Sequence, residues 1–231
     1  MKTGLLLGLA AALISLNAIG AEPAGLKTEK QKFSYTVGQQ VGQNLKRQNL
    51  DVDPRTVAQG IQDALSGAQP RLKPEEMQAA IQAYQKKDLA KREALAKKNQ
   101  EAGQAFLEAN KKKEGIVVLP SGIQYQVLKE GDGKKPKETD TVEVHYRGTL
   151  VNGTEFDSSH KRNEPATFQV NGVIHGWQEI LPLMKEGSKW QVFVPAEHAY
   201  GAQGAGGAIG PNETLIFEIE LLAIKKEEKG G

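Results

Sequence analysis

The sequence predicts an α+β protein in two parts, an all-α N-terminal domain joined by a long helix to a C-terminal antiparallel β-sheet wrapped on a short helix. Three observations carry this reading. Apolar residues recur four apart through the first part, the period changes to two after Ile116, and Asn152-Gly153 stands between two strand-like runs as a tight hairpin turn.

The chain opens with Met1-Lys2, an apolar stretch from Leu5 to Leu16, and small residues up to Ala21 before Glu22-Pro23. A charged start, a short apolar run and small residues ahead of a polar segment form the pattern of a secretory signal peptide, here residues 1–20, cut near Gly20 or Ala21. A spanning helix needs about 20 apolar residues, and this run is shorter. The chain contains 0 cysteines, so it has no disulfide framework and no cysteine to carry a lipid. The expected destination is the periplasm, with outer-membrane or surface association as the alternative. A net charge of +2 is no basic extreme and implies no nucleic acid as partner.

Phe33, Val37, Val41 and Leu45 fall on one face of a first helix, with Gly38 and Gly42 beside them, where a missing side chain lets another backbone approach. Asp53-Pro54 is a cap and first-turn pair for a second helix with Val57, Ile61 and Leu65 on one face, ended by Gly67. Two helices of this size cannot cover both stripes on each other, so residues 21–73 are expected to form a homodimer with a copy of themselves. A third helix starts at Pro74-Glu75-Glu76 and runs to about Lys113, roughly 60 Å at about 1.5 Å per residue. Its middle is crowded with charge, and Asp88 with Arg92 and Glu93 with Lys97 stand in the favourable four-apart order. Polar nearly all round, it reads as a solvated connecting helix over 74–113.

Residues 114–225 read as the sheet domain, followed by a polar tail over 226–231. Val142, Val144 and Tyr146 alternate with Glu143 and His145, Trp190 to Val194 is a further strand, and Phe217, Ile219 and Leu221 alternate with Glu218 and Glu220. A short helix is expected from Gly176 to Leu181. The histidines His145, His160, His175 and His198 lack the helical two-histidine spacing of a metal site, and Ser158-Ser159 lacks a nucleophile-elbow context. No metal or cofactor is implied. Gly204-Ala205-Gly206-Gly207-Ala208-Ile209 fails the phosphate-loop pattern and reads as a hairpin flap.

Five blocks in order carry a resemblance: Val144-His145-Tyr146-Arg147-Gly148, Glu155-Phe156-Asp157-Ser158-Ser159, Val173-Ile174-His175-Gly176-Trp177, Ala199-Tyr200-Gly201, and the run from Thr214 to Leu222. Together they resemble the FKBP family of peptidyl-prolyl cis-trans isomerases, and with the helical first part they resemble its two-domain, macrophage-infectivity-potentiator-like branch of bacterial envelopes. The resemblance implies an FKBP-like sheet domain, dimerisation through the N-terminal helices, and rotation of X-Pro bonds in proline-containing unfolded or peptide substrates, assisting the folding of exported proteins without a covalent intermediate. It also implies macrolides as inhibitors of the same pocket. By this resemblance Trp177 is the pocket floor, Tyr146, Phe156, Val173, Ile174 and Phe217 are its walls, Phe168 is an inner aromatic, Ile209 is the flap residue, and Asp157 and Tyr200 are the polar groups at the rim.

Taken singly, Phe217, Phe168 and Val173 also fit core positions, and Asp157 fits a turn cap beside Ser158 and Ser159. The chain departs from single-domain members in carrying Ala166 after Pro165, Ala205 at the flap and a shorter Asn171-Gly172 loop. A second reading of the whole is a dimeric chaperone that holds unfolded clients between its two arms.

Overall fold

A computed structural model describes residues 25–225. The expected signal peptide with its cleavage site, and the polar tail 226–231, lie outside the described residues. Two compact units divide between Asp51 and Val52.

The first unit is built on α1 (Glu29–Arg47), which begins with a reciprocal cap. The Thr28 hydroxyl accepts from the Gln31 N–H at 3.1 Å, and the Gln31 side chain accepts from the Thr28 N–H at 3.0 Å. Nothing in α1 is buried; Phe33 is 70% exposed, and a methyl placed on Gly38 or Gly42 would meet nothing.

In the second unit α2 (Pro54–Ser66) starts and stops as its sequence requires. The Asp53 carboxylate accepts from the Thr56 N–H at 2.7 Å, Pro54 opens the helix, and Gly67 closes it in the left-handed region at φ 70°. The third helix, α3 (Pro74–Asn110), is 37 residues long, roughly 55 Å. It opens at Pro74 with the Glu76 carboxylate accepting from the Lys73 N–H.

The solvated, polar-all-round reading of α3 needs correction over its second half, which lies against the sheet domain. Phe106 packs on Phe193 with ring centroids 5.8 Å apart. The buried Asn110 amide donates to Gln124 at 3.0 Å, and the Gln124 amide donates to the Leu107 carbonyl at 2.9 Å. Neither expected ion pair occurs among the described residues: Lys97 approaches Glu101 at 3.9 Å, and Arg92 donates to the Gln203 carbonyl. A face that docks through amides, one arginine and a glycine carries no apolar period, so the sequence pattern hides it.

The sheet comprises β1 (Ile116–Val118), β2 (Gln124–Lys129), β3 (Thr141–Leu150), β4 (Glu155–Ser158), β5 (Ala166–Gln169), β6 (Lys189–Val194) and β7 (Leu215–Lys225), with α4 (His175–Ile180) packed on it. All pairs are antiparallel in the order β1-β2-β6-β7-β3-β4, with β5 also on β3. The turn between β3 and β4 is the expected one, with Gly153 at φ 85° and the Asn152 side chain accepting from the Thr154 N–H. Alternation buries Val142 and Val144 of β3, Val192 and Val194 of β6, and Ile219 and Leu221 of β7 completely, under Ile180 and Leu181. Gly176 sets how close α4 lies: a Cβ there would sit 2.5 Å from Val194. That close approach seats the next residue, Trp177, deep over the middle of the sheet.

Candidate active site

Trp177 is 4% exposed and three rings stand nearly upright on it. The centroids of Tyr146, Phe168 and Phe217 lie 5.4, 5.7 and 5.3 Å from that of the indole, at interplanar angles of 86°, 90° and 82°. Phe156 extends the wall, edge-on to Phe217 at 5.7 Å. Edge-to-face contact of this kind adds about 0.5–1.5 kcal/mol per pair beyond burial and fixes the rings in place. Gly148 makes the corner, since a Cβ there would lie 2.5 Å from Phe156 and 3.0 Å from Phe217. The indole Nε1 is buried with no partner among the described residues.

One edge of the cup is polar. The Tyr146 hydroxyl donates to the Asp157 carboxylate, while Arg162 donates to the other Asp157 oxygen at 2.7 Å and to the Tyr146 hydroxyl at 3.0 Å. Burial opposes the Asp157 charge, yet the hydrogen bonds from Tyr146 and Arg162, the Arg162 charge and the Ser158 N–H together hold the carboxyl below its ordinary value. Burial first, and then the bond to Asp157, push the Tyr146 phenol up. Hydrogen bonds to Tyr146 and Asp157 hold the Arg162 guanidinium above its ordinary value. Ser159, fully buried, fixes this corner by donating to the Tyr146 carbonyl and accepting from its N–H.

At the mouth, Val173 and Ile174 are half-buried against the same core. The Ile174 carbonyl accepts from the Trp177 N–H at 2.9 Å, while the Ile174 N–H has no acceptor among the described residues. The glycine-rich segment is the expected hairpin: Ala205 and Ile209 exchange backbone hydrogen bonds at 2.9 and 3.0 Å, with Gly206 and Gly207 at φ 56° and 72° between them. Ile209 is buried in the core cluster.

The structure thus gathers Tyr146, Phe156, Phe168, Trp177 and Phe217 into one cup with Asp157 on its edge. Tyr200 stands apart from the ring set, 40% exposed, its hydroxyl making no hydrogen bond among the described residues. Sequence reasoning missed Arg162, Gly148 and Ser159. Arg162 follows Asp157 by five residues across a short 3₁₀ turn, His160–Arg162, and a basic residue placed to fold back on a strand-end carboxylate was the available signal.

Residues 132–222 match the model of the FKBP-type peptidyl-prolyl cis-trans isomerase, and residues 30–127 match the domain amino terminal to FKBP-type peptidyl-prolyl isomerase. The outer membrane protein MIP of Legionella longbeachae is 50% identical, the match covering 98% of this chain and 97% of that one. The peptidyl-prolyl cis-trans isomerase Mip of Coxiella burnetii is 43% identical over 98% and 96%. The crystal structure of FkpA from Escherichia coli superposes with a TM-score of 0.61 at 36% identity, covering 87% of this chain and 98% of that one. With two family domains matched in sequence and relatives this near along almost the whole length, the chain belongs to the family of FKBP-type peptidyl-prolyl cis-trans isomerases.

Proposed function

We propose that this isomerase rotates X-Pro bonds of exported polypeptides in the cup on Trp177, with Asp157 and Tyr200 as its polar rim. The observation that carries the proposal is the indole floor with three rings upright on it, beside the Asp157 carboxylate and its Arg162 partner. The prolyl barrier of roughly 18–20 kcal/mol is loss of conjugation across C–N, so no nucleophile is required. The twisted amide carries less charge on its oxygen than the planar one, and a site that removes water from that oxygen disfavours the planar states more. Phe156, Phe168, Val173 and Phe217 exclude water, Ile209 covers the ring, and the free Ile174 N–H and the Tyr200 hydroxyl hold the flanking carbonyls.

The test is isomerisation of a short Leu-Pro peptide by the mature chain, beside Asp157→Ala and Tyr200→Phe. Strong acceleration that falls in both variants with the fold intact supports the assignment. Equal turnover in the variants removes it.

Residues 114–225 then form the isomerase domain, 74–113 its connecting helix, and 21–73 a dimerisation domain. The uncovered stripe of α1 and the open Gly38 and Gly42 support pairing with a second copy. The setting is the bacterial envelope, and the N-terminal apolar segment supports the periplasm.

A further inference from the structure

The flap hairpin Ala205–Ile209 has two roots, and the connecting helix holds both. Arg92 of α3 donates to the Gln203 carbonyl at 2.7 Å on the entering side. Asn99 of α3 donates to the Pro211 carbonyl at 2.9 Å on the leaving side. Seven residues are about two turns of helix, so the two donors share a face about 10 Å apart. The same face continues four residues on to Gly103, where a Cβ would lie 2.3 Å from the Thr214 hydroxyl oxygen, just before β7. A side chain here would have to push Thr214 aside for the helix to come down this close.

Both acceptors are main-chain carbonyls, so the grip bears on the path of the loop. The base of that loop is already closed by the Asn212 N–H donating to the Gly201 carbonyl at 2.9 Å. What the helix adds is restraint on the two arms above that base. The contact is sparse: a groove of about 480 Å³ remains beside it, between Gln100, Gln104 and Leu107 of α3 and Pro195, Glu197 and Asn212 opposite. A helix held over a groove by a few hydrogen bonds can lose one of them without loss of the sheet's core.

We infer that α3 is a clamp on the substrate-covering flap, with Arg92 and Asn99 as positioning residues that set how readily it opens. The inference rests on the reading of Ile209 as the cover of the cup. It makes the long helix part of the isomerase site, so that whatever displaces α3 loosens the flap.

The test uses the full mature chain and its Arg92→Ala, Asn99→Ala and Arg92→Lys variants. Hydrogen exchange at the Ala205 and Ile209 amides, which bond each other's carbonyls, reports opening by unzipping of the hairpin, without reference to activity. Loss of one such hydrogen bond is worth a factor of about 5 in an opening equilibrium. Exchange at both amides should therefore quicken by about that factor in each alanine variant, and KM for the Leu-Pro peptide should rise severalfold with kcat within about twofold. Arg92→Lys, which keeps a cationic donor, should recover much of the difference, and the unfolding midpoint of each alanine variant should fall by no more than the one hydrogen bond accounts for, about 2–4 °C. Unchanged exchange in both alanine variants overturns the clamp. An unchanged KM in Ile209→Ala would sink instead the reading of the flap as substrate cover, and the exchange rates alone would then decide the clamp.

Discussion

Tyr146 and Asp157 meet diagonally across the β3–β4 pair, in which Asp157 stands opposite Gly148; the phenol donates to the carboxylate, and one guanidinium, Arg162, binds both. A phenol that keeps its proton beside a carboxylate that keeps its charge is a fixed dipole at the edge of an apolar cup, and no proton need move during the reaction.

Removing Arg162 tests whether that dipole has to be fixed. In Arg162→Ala the carboxylate loses its partner cation and the phenol loses a donor, so both side chains gain freedom. The expected result is a fall in kcat/KM on the order of 10-fold, as for the loss of a charged hydrogen bond near reacting groups. Near-UV circular dichroism should show the ring cluster still packed. Undiminished kcat/KM would mean that Asp157 is positioned by its strand alone.

The pH dependence has a definite sign. A carboxyl with a depressed folded value adds stability above its unfolded value, near 3.8, and loses it as pH falls through the lower folded one. The difference in unfolding free energy between wild type and Asp157→Asn should be constant from about pH 8 to about pH 5 and shrink only below about pH 4. Urea melts of both proteins across this range decide it, because the histidines cancel in the difference. A difference that already shrinks between pH 7 and 5 contradicts the depressed value.

Gly148 is required by its neighbours, since its φ does not call for glycine. A methyl there meets Phe156 and Phe217 at 2.5 and 3.0 Å; Phe217 cannot retreat without leaving Trp177, nor Phe156 without leaving Phe217. Gly148→Ala should destabilise the fold by about 1–3 kcal/mol, as overpacking does. It should also weaken binding of any ligand in the cup by more than the stability loss accounts for. Thermal melts and calorimetric titration separate the two effects.

For α1 the decisive quantity is mass in solution. Phe33 and Val37 are 70% and 43% exposed on a face with two open glycines. Sedimentation equilibrium of the mature chain at micromolar concentration should return twice the chain mass, and Phe33→Asp should return the single mass. A monomeric wild type would leave the stripe without its proposed cover.

How much of this could be read from the residues depends on which physical device each element uses. Asp53-Pro54, Gly67 and Pro74 announce their helix ends because caps are local chemistry. Asn152-Gly153 announces its hairpin because only such residues take that turn, and β3 and β7 show their buried faces by alternation. The strand order, in which β6 and β7 lie between β2 and β3, is set by long-range pairing that no short window contains. The cup was legible through the resemblance, for a phenylalanine in a strand looks the same in a core as in a pocket wall. Arg162 and the docked face of α3 leave no period behind: Arg162 folds back on Asp157 five residues away across an irregular turn, and α3 reaches carbonyls more than a hundred residues on.

The chain has two tryptophans, and the fold sends them to different tasks. Trp190 lies flat on Tyr125, with centroids 4.3 Å apart and planes 8° apart, in the sheet itself. Trp177, in the function proposed above, is the floor on which a pyrrolidine would rest. Replacing Trp190 with Phe would therefore leave one tryptophan, at the floor of the cup, whose emission, excited apart from the five tyrosines, would shift as a ligand settled against the indole. Occupancy of the site could then be followed optically, in an unlabelled protein, on substrates too slow or too large for a peptide assay.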